Sequence, residues 1–232
     1  LACQRFDTEL LYVSSDQVFD GKKESPYTEL DEPNPVNHYG RSKLWGEKFV
    51  QTLLNKFYVV RTALVFGPSR PTFIDRVARS VLADESLIAA TDIVNSPTYS
   101  KDLARAIETL VYPEEPYGKA YNFGDSQPLT LDDFVKISAR IMHKEAEILY
   151  PDYAWLKENG FNFEASPFSA GGDFVLDIAK AEKELDWTST PAAAWLEETI
   201  NWYLFSYTGP APANYASRKS ELELARKWIM KL

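Results

Sequence analysis

The chain has 232 residues, with Lys+Arg 25 against Asp+Glu 34 and a formal net charge of -9. At 45% hydrophobic and 25% charged it has the balance of a globular protein long enough to bury a full core, and its acidic surplus argues against a broad nucleic-acid surface. Cys3 is the single cysteine, which excludes an intrachain disulfide; with only His38 and His143 beside it there is no transition-metal ligand spacing, and no membrane-spanning run or signal peptide is seen, so a reducing, cytoplasmic setting is expected.

Leu1–Phe6 reads as the end of a helix. The apolar run Leu10-Leu11-Tyr12-Val13 predicts a buried parallel strand. Ser14-Ser15-Asp16 stands at its carboxyl end, where open α/β sheets bind their ligands. After an acidic, proline-rich loop, a helix is expected from about Asn37, carrying Tyr39 and Lys43. Four residues apart, these two side chains leave the same helix face one turn apart. A free phenol has a pKa of about 10, and an ammonium beside it favours the phenolate and draws that value toward neutrality. Tyr39 then becomes a proton donor or acceptor for a carbonyl/alcohol pair, with Ser15 placed to hold the same oxygen. The Tyr-x-x-x-Lys pattern recurs at Tyr153–Lys157 and Tyr215–Lys219, but neither follows a polar strand end and both read as helix surface.

Phe57–Phe66 (FYVVRTALVF) predicts a second buried strand, ended by Gly67-Pro68. Pro71–Leu82 reads as a helix with Phe73, Val77 and Val81 on one stripe. Ser96-Pro97-Thr98 makes a turn, with Ser100 as the expected N-cap of the next helix and Asp102 in its first turn. Lys119–Phe123 is an expected strand, and Thr130 with Asp133 opens a helix in capping-box style. Ala146–Tyr150 is a short strand candidate, and Pro151–Gly172 is aromatic and rich in loops. Thr190 and Pro191 are expected as N-cap and first residue of a helix running to about Tyr207. Thr208–Asn214 reads as a linker, and a last helix from about Ala216 presents Leu222, Ala225, Trp228/Ile229 and Leu232 as a stripe that docks on its own chain.

The run Ser14-Ser15-Asp16-Gln17-Val18-Phe19-Asp20-Gly21, then Pro26-Tyr27-Thr28-Glu29, then Pro35-Val36-Asn37-His38-Tyr39-Gly40-Arg41-Ser42-Lys43-Leu44-Trp45-Gly46-Glu47, resembles the extended short-chain dehydrogenase/reductase superfamily. More narrowly it resembles the dTDP-4-dehydrorhamnose reductase branch. Arg61-Thr62-Ala63-Leu64-Val65-Phe66-Gly67-Pro68, Pro97-Thr98 with Asp102-Leu103, and Asp173–Trp187 resemble later segments of that family. The resemblance implies an α/β fold, a Rossmann-type doubly wound parallel sheet with a smaller C-terminal substrate lobe. Residues 1–124 would be the second half of a dinucleotide-binding domain, with a lobe insertion around 70–95; 125–207 would be mainly substrate lobe, and 208–232 a linker and helix. No Gly-x-Gly-x-x-Gly occurs, so the N-terminal half that carries the pyrophosphate loop is expected to be missing.

The resemblance further implies Ser15, Tyr39 and Lys43 as catalytic residues, with Lys43 also holding the nicotinamide ribose. NAD or NADP is the implied cofactor, contacted by Ser14, Ser15, Tyr39, Lys43, Leu64 and Val65. A nucleotide-linked keto-sugar is the implied substrate, contacted by Asp16, Gln17, Leu64, Pro97 and Thr98. The chain departs from the family pattern at Gln17, usually aromatic, at Leu64, often Trp, and at Ala170-Gly171-Gly172, where Arg-Pro is usual. Asp16-Gln17 in place of Asp-Glu disfavours a 4,6-dehydratase. A 4-epimerase and a non-catalytic regulatory subunit share the fold and are the alternatives. Two copies would pair through the helix that carries Tyr39.

Overall fold

The computed structural model describes residues 1–89, 93–112, 116–160, 173–209 and 219–230. In chain order the elements are α1 (Ala2–Arg5), β1 (Leu10–Val13), a 3₁₀ turn (Asp16–Val18), α2 (His38–Leu53), β2 (Phe57–Thr62), β3 (Val65–Phe66), α3 (Phe73–Leu82), β4 (Leu87–Ile88), β5 (Val94–Asn95), β6 (Thr98–Tyr99), α4 (Ser100–Val111), β7 (Lys119–Phe123), β8 (Leu129–Thr130), α5 (Leu131–Ile141), β9 (Ile148–Leu149), α6 (Tyr153–Glu158), α7 (Ala179–Leu185), α8 (Ala192–Phe205) and α9 (Lys219–Ile229). They form two compact units, one of Leu1–Val65, Asn95–Pro128 and Gly172–Thr190, the other of Phe66–Val94, Leu129–Gly171 and Pro191–Leu232.

The first unit is built on a parallel sheet in the order β1-β2-β7. Leu10 pairs with Phe57 and Val13 with Val60; Tyr58 pairs with Lys119 and Thr62 with Phe123. β2 lies in the middle and every residue of it is buried. Alternate side chains of a strand face opposite ways, and here both faces are covered. Tyr58 and Val60 pack with Tyr121 and Phe123 against Leu103, Ala106 and Leu110 of α4 and Ala181 of α7. Phe57 and Val59 pack with Leu10 and Tyr12 against Val50 of α2. Helices on both faces of a parallel sheet make the doubly wound arrangement expected from the sequence. β1 is half-buried along its length, less covered than its apolar composition predicts, because β2 is its one partner in this sheet.

The expected strand Phe57–Phe66 is split. β2 stops at Thr62, and Leu64 takes a left-handed backbone at φ 41° before β3 resumes. A left-handed residue cannot continue a ladder. The break is held by Thr98, whose hydroxyl accepts from Thr62 Oγ1 (2.7 Å) and the Ala63 N–H (3.2 Å) and donates to the Phe123 carbonyl (3.1 Å).

The second unit gathers an aromatic core in which Phe66, Phe134 and Trp195 meet, with Trp195 4.4 Å from the Phe66 ring and Phe73 5.1 Å from Phe134. α3 and α5 each begin with a complete capping box, Thr72 with Asp75 and Thr130 with Asp133. β4 and β9 pair in parallel, and Leu222 and Ala225 of α9 pack on Ile88, Leu149 and Leu156. The last helix therefore docks on its own chain as expected, with Trp228 5.2 Å from Trp155. Ala170-Gly171-Gly172, most of the expected linker, Leu232 and the side chains of Tyr153, Lys157 and Tyr215 lie outside the described residues.

Two helix starts differ from expectation. Ser100 is the first residue of α4 rather than its cap, and Tyr99 holds the cap position. Pro191 is the cap of α8 rather than its first residue. The second is explained by where Asp102 points. Its buried carboxylate accepts the Thr190 N–H (2.6 Å) and hydroxyl (2.8 Å) and pairs with Arg105 (2.8 Å), so Thr190 is spent on α4 and is not free to cap α8. Asp102→Ala is expected to lower the unfolding free energy by about 2–3 kcal/mol, measured by urea denaturation; a loss below about 0.5 kcal/mol, the range of an ordinary surface change, would show that this staple is slack.

Candidate active site

The predicted residues at the end of β1 and the start of α2 come together in the first unit. Asn37 caps α2, its side-chain oxygen accepting the Gly40 N–H at 2.7 Å. Tyr39 and Lys43 then fall in the first two turns. Tyr39 is 54% exposed, and its ring centroid is 5.7 Å from Lys43 Nζ. Lys43 donates to the Val13 carbonyl at 3.0 Å, the last of β1, and lies 5.5 Å over the Tyr12 ring. Burial, aided by Glu47 and Tyr39, raises the Tyr12 phenol above its ordinary pKa, so Tyr12 stays neutral and Tyr39 is the phenol left open to solvent.

Helix α2 sits close to the strand end because two of its residues have no side chain. A Cβ on Gly40 would lie 1.9 Å from the Gln17 carbonyl oxygen, and one on Gly46 would lie 2.0 Å from the Tyr12 hydroxyl. Below Lys43 by one turn, Glu47 is 1% exposed and takes two hydrogen bonds from Arg61 of β2, from Nε at 3.0 Å and Nη2 at 2.8 Å. Ser14 donates its hydroxyl to the same carboxylate. The guanidinium lies 5.1 Å over the Phe19 ring. Sequence reasoning missed this pair. The signal was present: a lone arginine inside FYVVRTALVF has to find a carboxylate if the strand is buried.

Ser15 and Asp16 are 5% and 4% exposed. Ser15 donates its hydroxyl to Asp16 Oδ1 at 2.7 Å and accepts the Gln17 N–H at 3.2 Å. Gln17 donates to Asp16 Oδ2 at 3.3 Å and accepts from Asn37 Nδ2 at 2.8 Å. Burial pushes the Asp16 carboxyl up to about 6, against the pull of its Ser15 and Gln17 hydrogen bonds.

The other predicted site residues divide. Leu64 is half-buried and Val65 is 46% exposed, both just past the end of β2. Ser14 is turned away, its hydroxyl spent on Glu47. Thr98 is 1% exposed with its hydroxyl bound to Thr62, Ala63 and Phe123, and the buried Pro97 gives its carbonyl to the Asp125 N–H at 2.6 Å. Both serve as a staple between strand ends.

Residues 1–151 match the model of the RmlD substrate binding domain family. The chain belongs to that family. A dTDP-4-dehydrorhamnose reductase of Mycolicibacterium smegmatis is 39% identical over 112 residues, 47% of this chain and 34% of that protein. A dTDP-4-dehydrorhamnose reductase of Aggregatibacter actinomycetemcomitans is 32% identical over 137 residues, 57% of this chain and 47% of that one. The chain thus spans about a third to a half of the length of these curated relatives. Among solved structures, a dTDP-4-dehydrorhamnose reductase ortholog from Clostridium acetobutylicum superposes with a TM-score of 0.75 at 28% identity, covering 88% of this chain and 69% of that one. A dTDP-4-dehydrorhamnose reductase from Bacillus anthracis in complex with NADP gives a TM-score of 0.71 at 25% identity, covering 89% and 68%. A UDP-glucuronic acid 4-epimerase from Bacillus cereus, at 21% identity and a TM-score of 0.72, shares the fold.

Two outcomes are expected of the buried charges. Removing one partner leaves the other charge uncompensated, so Glu47→Leu should cost about 3–5 kcal/mol of stability, and Glu47→Leu with Arg61→Met together should cost far less than the two singly; equal costs in denaturant titrations would contradict the pairing. For Asp16 the folded carboxyl holds its proton more tightly than the unfolded one, which titrates near 3.8. Its contribution is therefore complete at acid pH and is lost as pH rises from about 4 through about 6, by about 2–3 kcal/mol. Asp75, in the second unit, is also pushed up to about 6 and adds to the slope of the whole protein. Asp16→Asn should remove the Asp16 share alone; an unchanged slope between pH 4 and 7 would show that Asp16 is not held protonated.

Proposed function

We propose that the chain forms part of an NAD(P)-dependent oxidoreductase that reduces a nucleotide-linked keto-sugar, with Tyr39, Lys43 and Ser15 as its catalytic residues. The observation that carries this is the open Tyr39 phenol one helical turn from the Lys43 ammonium, at the polar end of a parallel strand. The names of the relatives, dTDP-4-dehydrorhamnose reductases, and the NADP in one related structure support it.

The residues present fit a nicotinamide cofactor. Lys43 uses one of its three N–H donors on Val13 among the described residues, which leaves two for ribose hydroxyls. Leu64 and Val65, past the break in β2, supply an apolar wall. The bound cofactor would supply the hydride. Tyr39 gives its proton to the substrate oxygen, and Lys43 stabilises the phenolate that remains. Ser15 turns its hydroxyl from Asp16 to the same oxygen and orients the carbonyl. Asp16 and Leu64 border the sugar. The first unit carries this chemistry, and residues 125–207 are mainly the substrate lobe.

The enzyme works in the cytoplasm as a pair of like chains. Trp45 and Phe49, each 61% exposed on α2 with ring centroids 6.2 Å apart, are the apolar surface for that pairing.

The test is turnover of dTDP-linked 4-keto-sugars by the full-length protein with NADPH and with NADH. Tyr39→Phe should lose about 10²–10⁴-fold in rate while still binding cofactor, and Lys43→Ala should weaken cofactor binding. Turnover that survives Tyr39→Phe within a few fold overturns the assignment. Cofactor consumed mole for mole with sugar marks a reductase; sugar isomerised with no net consumption marks an epimerase.

A further inference from the structure

Four hydrogen bonds form an unbroken side-chain path from the strand end to the first turn of α2. Ser15 Oγ donates to Asp16 Oδ1 at 2.7 Å, and Gln17 Nε2 donates to Asp16 Oδ2 at 3.3 Å. Asn37 Nδ2 donates to Gln17 Oε1 at 2.8 Å, and the Gly40 N–H donates to Asn37 Oδ1 at 2.7 Å. From both ends every donor points toward the same buried carboxylate. Such a path needs groups that accept at one end and donate at the other, and a primary amide does this in one planar unit. A carboxylate at position 17 would set lone pairs against Asp16, and an aromatic ring would end the path there.

Tyr39 lies inside the segment this path closes, between Asn37 and Gly40. The backbone adds a second tie, since the Gly40 Cα is packed so tightly on the Gln17 carbonyl that no Cβ fits. Tyr39 itself is more than half exposed, so its placement comes from the first turn of α2 rather than from packing around its ring.

We propose that Gln17 is a positioning residue, whose side-chain amide joins the Ser15–Asp16 turn to the Asn37 cap and so fixes Tyr39 and the turn that carries Ser15 relative to one another, leaving the Ser15 hydroxyl to swing from Asp16 to the substrate oxygen. The proposal rests on the functional reading of Ser15 and Tyr39 given above, and it assigns Gln17 a role other than sugar contact. Both hydroxyls have to meet one substrate oxygen, and a misplacement of about 1 Å costs on the order of 100-fold in rate.

Two variants separate the path from the helix cap. Gln17→Met keeps the side-chain length and removes both bonds. Asn37→Asp keeps an oxygen for the Gly40 N–H, as good a cap as asparagine, but removes the donor to Gln17; however the amide then turns, its carbonyl faces a carboxylate. In the full-length protein both should remain folded, with circular dichroism spectra like that of the wild type. Each should lower kcat about 10- to 100-fold with little change in the KM for cofactor, and the double variant should be no worse than the singles, because they break one path. A second readout does not depend on turnover: the Tyr39 signal in carbon-13 tyrosine spectra, assigned by its loss in Tyr39→Phe. Its position should shift in both variants. Wild-type protein that turns over no keto-sugar overturns the functional reading, and the Tyr39 signal then still decides the placement role. A Tyr39 signal identical in wild type, Gln17→Met and Asn37→Asp overturns the proposal, as does wild-type kcat in both variants.

Discussion

The buried pair of Glu47 and Arg61 is the constraint on which the rest of the first unit turns. Glu47 belongs to α2 and Arg61 to β2, and the carboxylate also receives the Ser14 hydroxyl from the end of β1. One carboxylate thus ties two adjacent strands to the helix that lies on them. Burying such a pair yields little net stability over apolar residues of the same shape, but breaking it is expensive. Its effect is on geometry: α2 can be rotated or slid only by separating charges in an apolar interior. Lys43, one turn above Glu47, is thereby set on the Val13 carbonyl, and Tyr39 one turn above that.

A division of labour follows between the two ends of α2. The deep end is fixed by charge and by packing on Val59 and Phe57. The first turn is fixed by neutral amide bonds to Gln17 and by the close approach at Gly40. The Tyr39 phenol is held by that turn and stands open to solvent, 54% exposed. Asp16, neutral below about 6 and charged above, is the point at which this arrangement responds to pH, because its two oxygens hold the Ser15 hydroxyl and the Gln17 amide.

Much of this was legible from residue order. The apolar run before Ser14-Ser15-Asp16 and the four-residue spacing of Tyr39 and Lys43 report local structure, and local structure here obeys its own propensities: α2 begins at Asn37, and both predicted faces of the sheet are covered. Thr130 and Asp133 cap α5 as their spacing requires. What could not be read is what depends on partners distant in sequence. Asp102 is a first-turn acid for α4, yet its carboxylate also holds Thr190, which therefore does not cap α8. Thr98 gives no sign in the sequence that its hydroxyl holds the break between Thr62 and Val65. The break itself turns on the left-handed backbone of Leu64, a residue whose side chain gives no hint of it. Arg61 did give a hint, since a charge in a buried strand demands a partner, but its spacing from Glu47 obeys no local rule.

The close contacts at Gly40 and Gly46 bear on how this segment could be exchanged between proteins. At Gly46 the helix meets the Tyr12 hydroxyl, and at Gly40 it meets the Gln17 backbone, with no room for a methyl group at either. A helix grafted in from a protein that lacks glycines at these two positions would therefore collide with the Gln17 backbone and the Tyr12 side chain, and would strand Arg61 unless it also brought a glutamate at position 47. The smallest transplantable block is residues 10–62, strand, turn, helix and strand together. Chimeras that bring in such a helix alone should fail at the seam, whereas those cut at the borders of the block keep Ser15, Tyr39 and Lys43 with the contacts that support them.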